Sequence, residues 1–298
     1  MLFILLGSKI FDLSPELLND KEVMLAVTKL YGPLFHLASC ELKNDKEFAL
    51  QVCSIYGKNV SFLSPELRSD KDIAMAAVKQ DGTAIQYLDD ELKNDLKVAS
   101  LALAQNGEAL QFLSKEMRDN KALAITAVTN NGYALKYVSD NLKKDKEVIR
   151  IACRENSQIV DHSMQSGYSE AMYPILQMIK LPIVYADHDT LKDKDFALEL
   201  ANQCGINIKY FSPELQNDEE VASAAIHQNP WALTFSGNDI KRNVGLVEIA
   251  IHTDVNIKKY SYISEAMEPS YNLDEMIAAA ENKKKPAEHS KNSIEQYL

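Results

Sequence analysis

Apolar and polar positions recur with a period of 25 residues along this chain of 298 residues. The clearest repeat is 63–87, with the sequence LSPELRSDKDIAMAAVKQDGTAIQY. Its apolar side chains at helical spacing are Ile73, Ala74, Ala77 and Val78. Side chains spaced in this way form one face of an α-helix. The pattern therefore predicts a helix between Asp70 and Gly82 in this repeat, and an equivalent helix in the others.

Two marker residues bound the predicted helix. Asp70 is expected to cap its N-terminus, because a carboxylate accepts hydrogen bonds from the free N–H groups of the first turn. Gly82 is expected to end it in a left-handed C′ conformation. An Asp or Asn recurs at the first position throughout the chain. Glycine recurs at the second position as Gly7, Gly32, Gly57, Gly82, Gly107, Gly132 and Gly205.

The residues between each glycine and the next aspartate predict a second helix, kinked or split where Ser-Pro-Glu-Leu interrupts it at Pro15, Pro65 and Pro213. An extended period-two pattern of β-branched residues is missing from the sequence, which argues against strands. The expected fold is all-α: tandem helical hairpins of about 25 residues, stacked as an α-solenoid in which each repeat buries its apolar face against its neighbours.

The repeat pattern has two irregularities. The markers vanish within 163–190, which predicts a degenerate repeat or bend between an N-terminal repeat arm (1–162) and a C-terminal arm with a terminal helix (191–282). Residues 283–298 are expected to form a flexible tail. Because Gly7 is already in register, the first repeat begins near its middle, and the chain is expected to be a fragment of a longer array or to begin with a half-repeat.

Composition narrows the functional classes. A formal net charge of −11 argues against nucleic acid as a partner, since nonspecific binding to it requires basic surface. No membrane span, signal peptide or cofactor is expected. The compartment is unknown; the alternatives are the cytoplasm of the cell that makes the protein and, if the protein is secreted, the interior of another cell. The oligomeric state is open. Free, buried thiols are expected at Cys53 and Cys153, which share one position on the apolar helix face.

The recurring pattern L-[SD]-x-E-L-[RK]-x-D-K-x-[VI]-[AL]-x-x-A-V-x-x-[DN]-G-x-A-[LI]-x-[YF] resembles the bacterial repeat family known as domain of unknown function (DUF) 4116. The resemblance is clearest in 63–87, 88–112 and 113–137. It implies an all-helical repeat module of the kind found in multi-copy arrays in bacteria that live with eukaryotic hosts. It implies no known activity and no catalytic residues.

The candidate binding residues are amides near the end of each predicted helix. Those two residues before the glycine position are Gln80, Gln105, Asn130, Gln203 and Gln228, and those one residue before it include Asn106 and Asn131. Such amides either pair with the backbone of an extended peptide or satisfy helix ends and water. Aromatic residues recur five positions after the glycine, from Phe62 to Tyr260, with His162 among them. They are expected to lie in the core.

A non-enzymatic scaffold that binds a protein or peptide is the predicted function, because repetition creates extended surface. One alternative is the targeting or regulatory region of a larger secreted effector enzyme. Another is an enzyme with its site at the 163–190 bend, which depends on Asp187, His188 and Asp189. No phosphate loop, nucleophile elbow or HExxH motif occurs. Catalysis is therefore uncertain and less expected than binding, with no catalytic and no metal-binding residue assigned.

Overall fold

A computed structural model describes residues 13–154 and 180–254, together with Leu176 and Ile257. The chain divides into two compact units, Met1–Glu155 and Asn156–Leu298. The described residues are helical repeats without strands, which confirms the predicted all-α solenoid class. Most of the predicted bend at 163–190 and the predicted tail lie outside the described residues. The predicted division into arms remains a prediction.

Each described repeat contains one long α-helix, numbered here in chain order. In the first compact unit these are α1 (Lys21–Leu30), α2 (Lys46–Ile55), α3 (Lys71–Gln80), α4 (Leu96–Gln105), α5 (Lys121–Asn130) and α6 (146–154). In the second they are α7 (Lys194–Gln203), α8 (Glu219–Gln228) and α9 (Val244–Thr253).

The helix starts follow the predicted capping chemistry. The Asp70 carboxylate accepts hydrogen bonds from the N–H groups of Asp72 and Ile73, at 3.0 and 3.2 Å. Asn120 caps α5 in the same way. Because each cap satisfies N–H groups that have no partner inside the helix, it fixes where the helix begins.

The second predicted helix is not a single helix. Where the residues after a long helix are described, the repeat instead continues into a 3-10 helix and then into a separate short helical turn. The 3-10 helices are Gly32–Leu37, Gly57–Phe62, Gly82–Tyr87, Gly107–Phe112, Gly132–Tyr137, Pro182–Tyr185, Gly205–Tyr210 and Pro230–Phe235. The short turns are α-helical at Pro15–Leu18, Pro65–Arg68, Asp90–Lys93, Lys115–Arg118, Pro213–Gln216 and Asn238–Lys241, and 3-10 at Leu42–Asn44, Leu142–Lys144 and Thr190–Lys192.

Proline does not cause this break, because the break also occurs in repeats that lack the Ser-Pro sequence. Leu88 connects the two segments with extended backbone, at φ −75° and ψ 163°, and its side chain is buried. The Asp89 side chain then accepts the N–H of Leu92 and starts the next short turn. The buried leucine and the capping side chain after it therefore replace the predicted hairpin with three segments per repeat.

Within each compact unit the repeats form two layers. Successive long helices pack against one another, as do successive 3-10 helices. The core lies between the layers and is built from Ile73, Ala74, Ala77 and Val78 of α3 with Ala84, Ile85 and Leu88 from the following segment, and from the equivalent residues elsewhere. The predicted apolar helix face is therefore the buried face.

The prediction for Gly82 is wrong. Its backbone lies outside the left-handed region, and α3 ends at Asp81 in an extended conformation with φ −144°. Glycine is required by a close approach instead. A Cβ at Gly82 would lie 2.2 Å from the carbonyl oxygen of Ala102 in the next repeat. Gly57, Gly107 and Gly205 face Ala77, Ala127 and Ala225 in the same way, at 2.2–2.3 Å.

Lysine–aspartate pairs connect the helix starts of successive repeats. The first lysine of one long helix pairs with the N-cap aspartate of the next. The pairs are Lys21–Asp45 (2.6 Å), Lys46–Asp70 (2.6 Å), Lys71–Asp95, Lys121–Asp145 (2.8 Å) and Lys194–Asp218 (2.8 Å). The lysine lowers the pKa of its partner in Asp45 and in Asp95, as does the capped backbone. We call this series the lysine–aspartate ladder.

The ladder is interrupted between α4 and α5 on both sides at once. Leu96 occupies the lysine position and is 58% exposed, and Asn120 occupies the aspartate position. The two replacements leave neither a cation nor a carboxylate without its partner. A double substitution can therefore restore the missing pair without disturbing the Asn120 cap, since aspartate caps a helix as well as asparagine does.

We predict that Gly82→Ala destabilises the first compact unit by about 1–3 kcal/mol, because the added methyl group meets a backbone atom that cannot move aside. Gly245→Ala is the control. Its Cβ would meet only Asn243 Oδ1 at 3.6 Å, and alanine is the better helix former. Urea denaturation followed by circular dichroism measures both. Equal stability of the two variants would refute the close-approach explanation.

We predict that Leu96→Lys combined with Asn120→Asp raises the free energy of unfolding by about 0.2–1 kcal/mol more than the summed effects of the two single substitutions. The gain should fade at high salt. A paired aspartate has a lowered pKa in the fold, so the gain is complete above the unfolded value near pH 4 and is lost as the pH falls through the folded value. A double-mutant cycle, measured by thermal denaturation at several pH values, tests this coupling. Purely additive effects would contradict a stabilising role for the pairs of the lysine–aspartate ladder.

Candidate functional site

The predicted amide residues lie at the junction between successive repeats, where they bond to the chain itself. The Gln105 side chain accepts the backbone N–H of Gly82, with Oε1 2.5 Å from the nitrogen. Its Nε2 lies 3.4 Å from the carbonyl oxygen of Gln80. One amide thus satisfies both a donor at the start of a 3-10 helix and a carbonyl at the end of the preceding long helix.

The same bond recurs for three further amides at this position. Its acceptor is Gln80 for Gly57 (2.5 Å), Asn130 for Gly107 (2.7 Å) and Gln228 for Gly205 (2.5 Å). The Asn130 amide also donates to the carbonyl oxygen of Ala104, at 2.8 Å. These bonds cross the close contact between glycine and alanine. The amides therefore help to hold the repeats together.

The adjacent asparagines have a local role. Asn106 Oδ1 accepts the N–H of Glu108 at 2.9 Å, and Asn131 Oδ1 accepts the N–H of Tyr133 at 3.0 Å. Each side chain thus caps the following 3-10 helix. Gln203 holds the same position in α7 as Gln80 holds in α3. Binding of a peptide by these amides remains a prediction, and their oxygens already accept bonds within the chain at Gln80, Gln105, Asn130, Gln228, Asn106 and Asn131.

One junction replaces this arrangement with another. Pro230 stands at the glycine position and has no N–H to donate, and the next repeat has Thr253 at the amide position. There the indole of Trp231 is buried, and its Nε1 donates to Asp254 Oδ2 of the next repeat at 3.1 Å. A side-chain bond between the repeats thus persists when the backbone donor is lost.

The aromatic residues are not in the core, contrary to expectation. In the first compact unit Phe62 is 37% exposed, and Tyr87, Phe112 and Tyr137 are partly exposed. In the second, Tyr185, Tyr210 and Phe235 are also partly exposed. Each is the last residue of its 3-10 helix, where the following buried leucine or equivalent residue takes the inward position. His162 and Tyr260 lie outside the described residues. We call these residues the aromatic row.

Ammonium groups lie over several rings of the aromatic row. Lys209 Nζ is 5.5 Å from the ring centroid of Tyr210 and 5.5 Å from that of Phe235 in the next repeat. It also donates to the carbonyl oxygen of Leu176 at 3.1 Å. Burial lowers the pKa of Lys209. Lys136 Nζ lies 5.4 Å from the ring centroid of Tyr137. These distances are within the range of cation–π attraction.

Two of the three residues considered for an enzyme at the bend, Asp187 and Asp189, have structural partners. Asp187 Oδ2 accepts the N–H and the hydroxyl of Thr190, at 3.1 and 3.2 Å, which caps a turn. Asp189 pairs with Lys192 at 2.7 Å. Among residues 13–154 and 180–254, no cluster of three or more metal-ligating side chains is formed. Where the chain is described, no helix is long and apolar enough to cross a bilayer.

Cys40, Cys53, Cys153 and Cys204 form no disulfide bond. Cys53 and Cys153 are buried as predicted, and burial raises the pKa of the Cys53 thiol to about 12. Cys204 is also buried, and Cys40 is exposed. A buried thiol with a raised pKa is a poor nucleophile, so Cys53 serves as a small apolar side chain.

The fold and its repeated junctions define a helical-repeat protein. The family model for the domain of unknown function DUF4116 matches residues 20–68, 70–118, 120–163 and 193–241, more than half of the chain. The chain therefore belongs to this family. Each match spans about two of the 25-residue repeats. The matches begin at the helix N-caps Asp20, Asp70, Asn120 and Asp193. No curated protein and no solved structure matches the chain.

Proposed function

We propose that this protein is a non-enzymatic scaffold that binds a protein or an extended peptide along its repeats. The supporting observation is the aromatic row, in which a partly exposed ring ends every described 3-10 helix that follows a long helix from Gly57–Phe62 to Pro230–Phe235. Exposed aromatic side chains offer large contact area at low cost in conformational entropy, and they are enriched where proteins bind one another.

The division of roles within the repeat also favours binding over catalysis. The glycine, alanine, amide and capping positions hold the stack together, so their residue types are constrained by structure. The aromatic row carries rings that are partly exposed, and the residue before each ring differs between repeats, as in Ser61, Gln86, Gln111 and Lys136. A repeated surface with one variable position per repeat suits recognition of an extended partner.

The experiment is a selection of peptides from a random display library against the full chain, followed by measurement of Kd for synthetic versions. We expect saturable binding that weakens when Phe62, Tyr87, Phe112 and Tyr137 are replaced by serine. The control variant replaces the exposed Gln51 of α2 by serine, because it alters the surface without removing a ring or changing a residue beside one. Failure to obtain any saturable peptide would contradict the proposal, and so would equal Kd values for the two variants.

A further inference from the structure

The rings of Tyr87 and Phe112 leave a position between them that has no cation. They belong to successive repeats and make no ring contact with each other. Among the described residues, no ammonium or guanidinium group lies over either ring. The residue before Tyr87 is Gln86, and its Nε2 donates to the Thr83 carbonyl oxygen at 3.0 Å. Its amide is therefore bonded to its own 3-10 helix.

The second compact unit shows how the equivalent position is filled when the residue before the ring is a lysine. Lys209 corresponds to Gln86, and Tyr210 and Phe235 correspond to Tyr87 and Phe112. The Lys209 ammonium contacts both rings at 5.5 Å. The same backbone framework thus binds a lysine side chain between two consecutive rings. This is direct structural support for the chemistry that such a ring pair accepts.

Charge near the two rings favours a cation as well. Tyr87 and Phe112 are each followed, four residues later, by the exposed glutamates Glu91 and Glu116. These glutamates lie in the short helical turns Asp90–Lys93 and Lys115–Arg118, which follow the two rings along the chain. The chain as a whole carries a net charge of −11. A basic ligand therefore meets both a ring face and an attractive field, whereas an acidic ligand is repelled.

We infer that the Tyr87–Phe112 part of the aromatic row is a docking surface for an extended basic peptide, with a lysine or arginine side chain held between the two rings. This inference rests on the proposed scaffold function and narrows the partner from peptides in general to basic ones. The peptide supplies from outside the cation that Lys209 supplies from within the chain in the second compact unit.

The spacing of the rings indicates the pattern of the peptide. An ammonium 5.5 Å from both centroids places the Tyr210 and Phe235 rings no more than about 11 Å apart. In an extended or polyproline-type chain, three residues span roughly 9–10 Å. A peptide with a basic residue at every third position can therefore present one cation for each repeat that it passes.

The probe is a labelled synthetic peptide with lysine at every third position and glycine or serine between. Its Kd for the full chain is measured by fluorescence anisotropy at low and physiological salt. The matched probe has the same sequence with every lysine acetylated, which removes the charge and keeps the length. We expect the lysine peptide to bind saturably. The Kd of the acetylated peptide should be at least tenfold higher, which corresponds to about 1.4 kcal/mol of binding free energy.

Two variants test the ring pair independently. Tyr87→Leu with Phe112→Leu keeps apolar side chains but removes the π faces, and it should weaken binding by about tenfold. Gln86→Lys with Gln111→Lys places internal ammonium groups where Lys209 has its own, so that they compete with the peptide. Gln51→Lys is the control for charge alone, on the exposed side of α2. Thermal denaturation confirms that each variant is folded.

The proposal requires both ring-pair variants to weaken binding and Gln51→Lys to have less than a twofold effect. Lysine-peptide binding that is unchanged in the leucine variant would overturn it, because attraction to the acidic surface alone would then explain the binding. If the lysine peptide does not bind while a neutral or acidic peptide from the display selection does, the inference fails and the scaffold function stands. If neither binds, both fail.

Discussion

The structure depends on a backbone contact between successive repeats. A glycine at the start of one 3-10 helix lies so close to a carbonyl oxygen of the next long helix that a methyl group in its place would approach to 2.2–2.3 Å. Only glycine allows this distance, and alanine on the facing helix keeps neighbouring side chains away from the contact. The amide bonds to the glycine N–H groups become possible because the backbones come this close. The lysine–aspartate ladder connects the other ends of the same helices.

The sequence alone was sufficient to predict the repeat, its register, the N-caps and the buried helix face. Those features follow from local rules, since a capping aspartate and the helical spacing of Ile73 and Val78 act within a few residues of each other. The role of Gly82 was mistaken, because the atom that requires glycine is 20 residues away, on Ala102. The sequence likewise left two roles open for the amides. A regular row of glutamines looks the same in sequence whether it faces a ligand or the preceding repeat.

The aromatic row shows a different limit of sequence reasoning. A ring at fixed spacing is normally a core residue, and here the buried leucine after it takes the core position instead. Periodicity could not separate these two adjacent positions while the segment was taken to be one α-helix. A 3-10 helix that ends at the aromatic residue, followed by an extended leucine, turns the ring outwards. The surface that the proposed function uses thus results from the break between the two short segments.

The positions that hold the stack and the positions of the proposed recognition surface are therefore separate. Glycine, alanine, the amide and the cap are fixed by contacts between repeats, and at two junctions the changes occur on both sides together, Leu96 with Asn120 and Pro230 with Thr253. The residue beside each ring ranges from serine to lysine, and Ser61, Gln86 and Gln111 bond to backbone carbonyls of their own 3-10 helices. Under the proposed function, repeats built in this way can change what they bind without losing the stack.

Amide hydrogen exchange at the glycines, followed by NMR, tests the contact between repeats most directly. The N–H of Gly82 is bonded to Gln105 in the next repeat, whereas Gly32 faces a repeat that has Ile55 at the amide position. We expect slow amide exchange at Gly57, Gly82 and Gly107 and fast exchange at Gly32. Gln105→Ala should accelerate exchange at Gly82 far more than exchange at Gly57. Equal exchange at Gly82 and Gly32, or an unchanged Gly82 rate in Gln105→Ala, would contradict it.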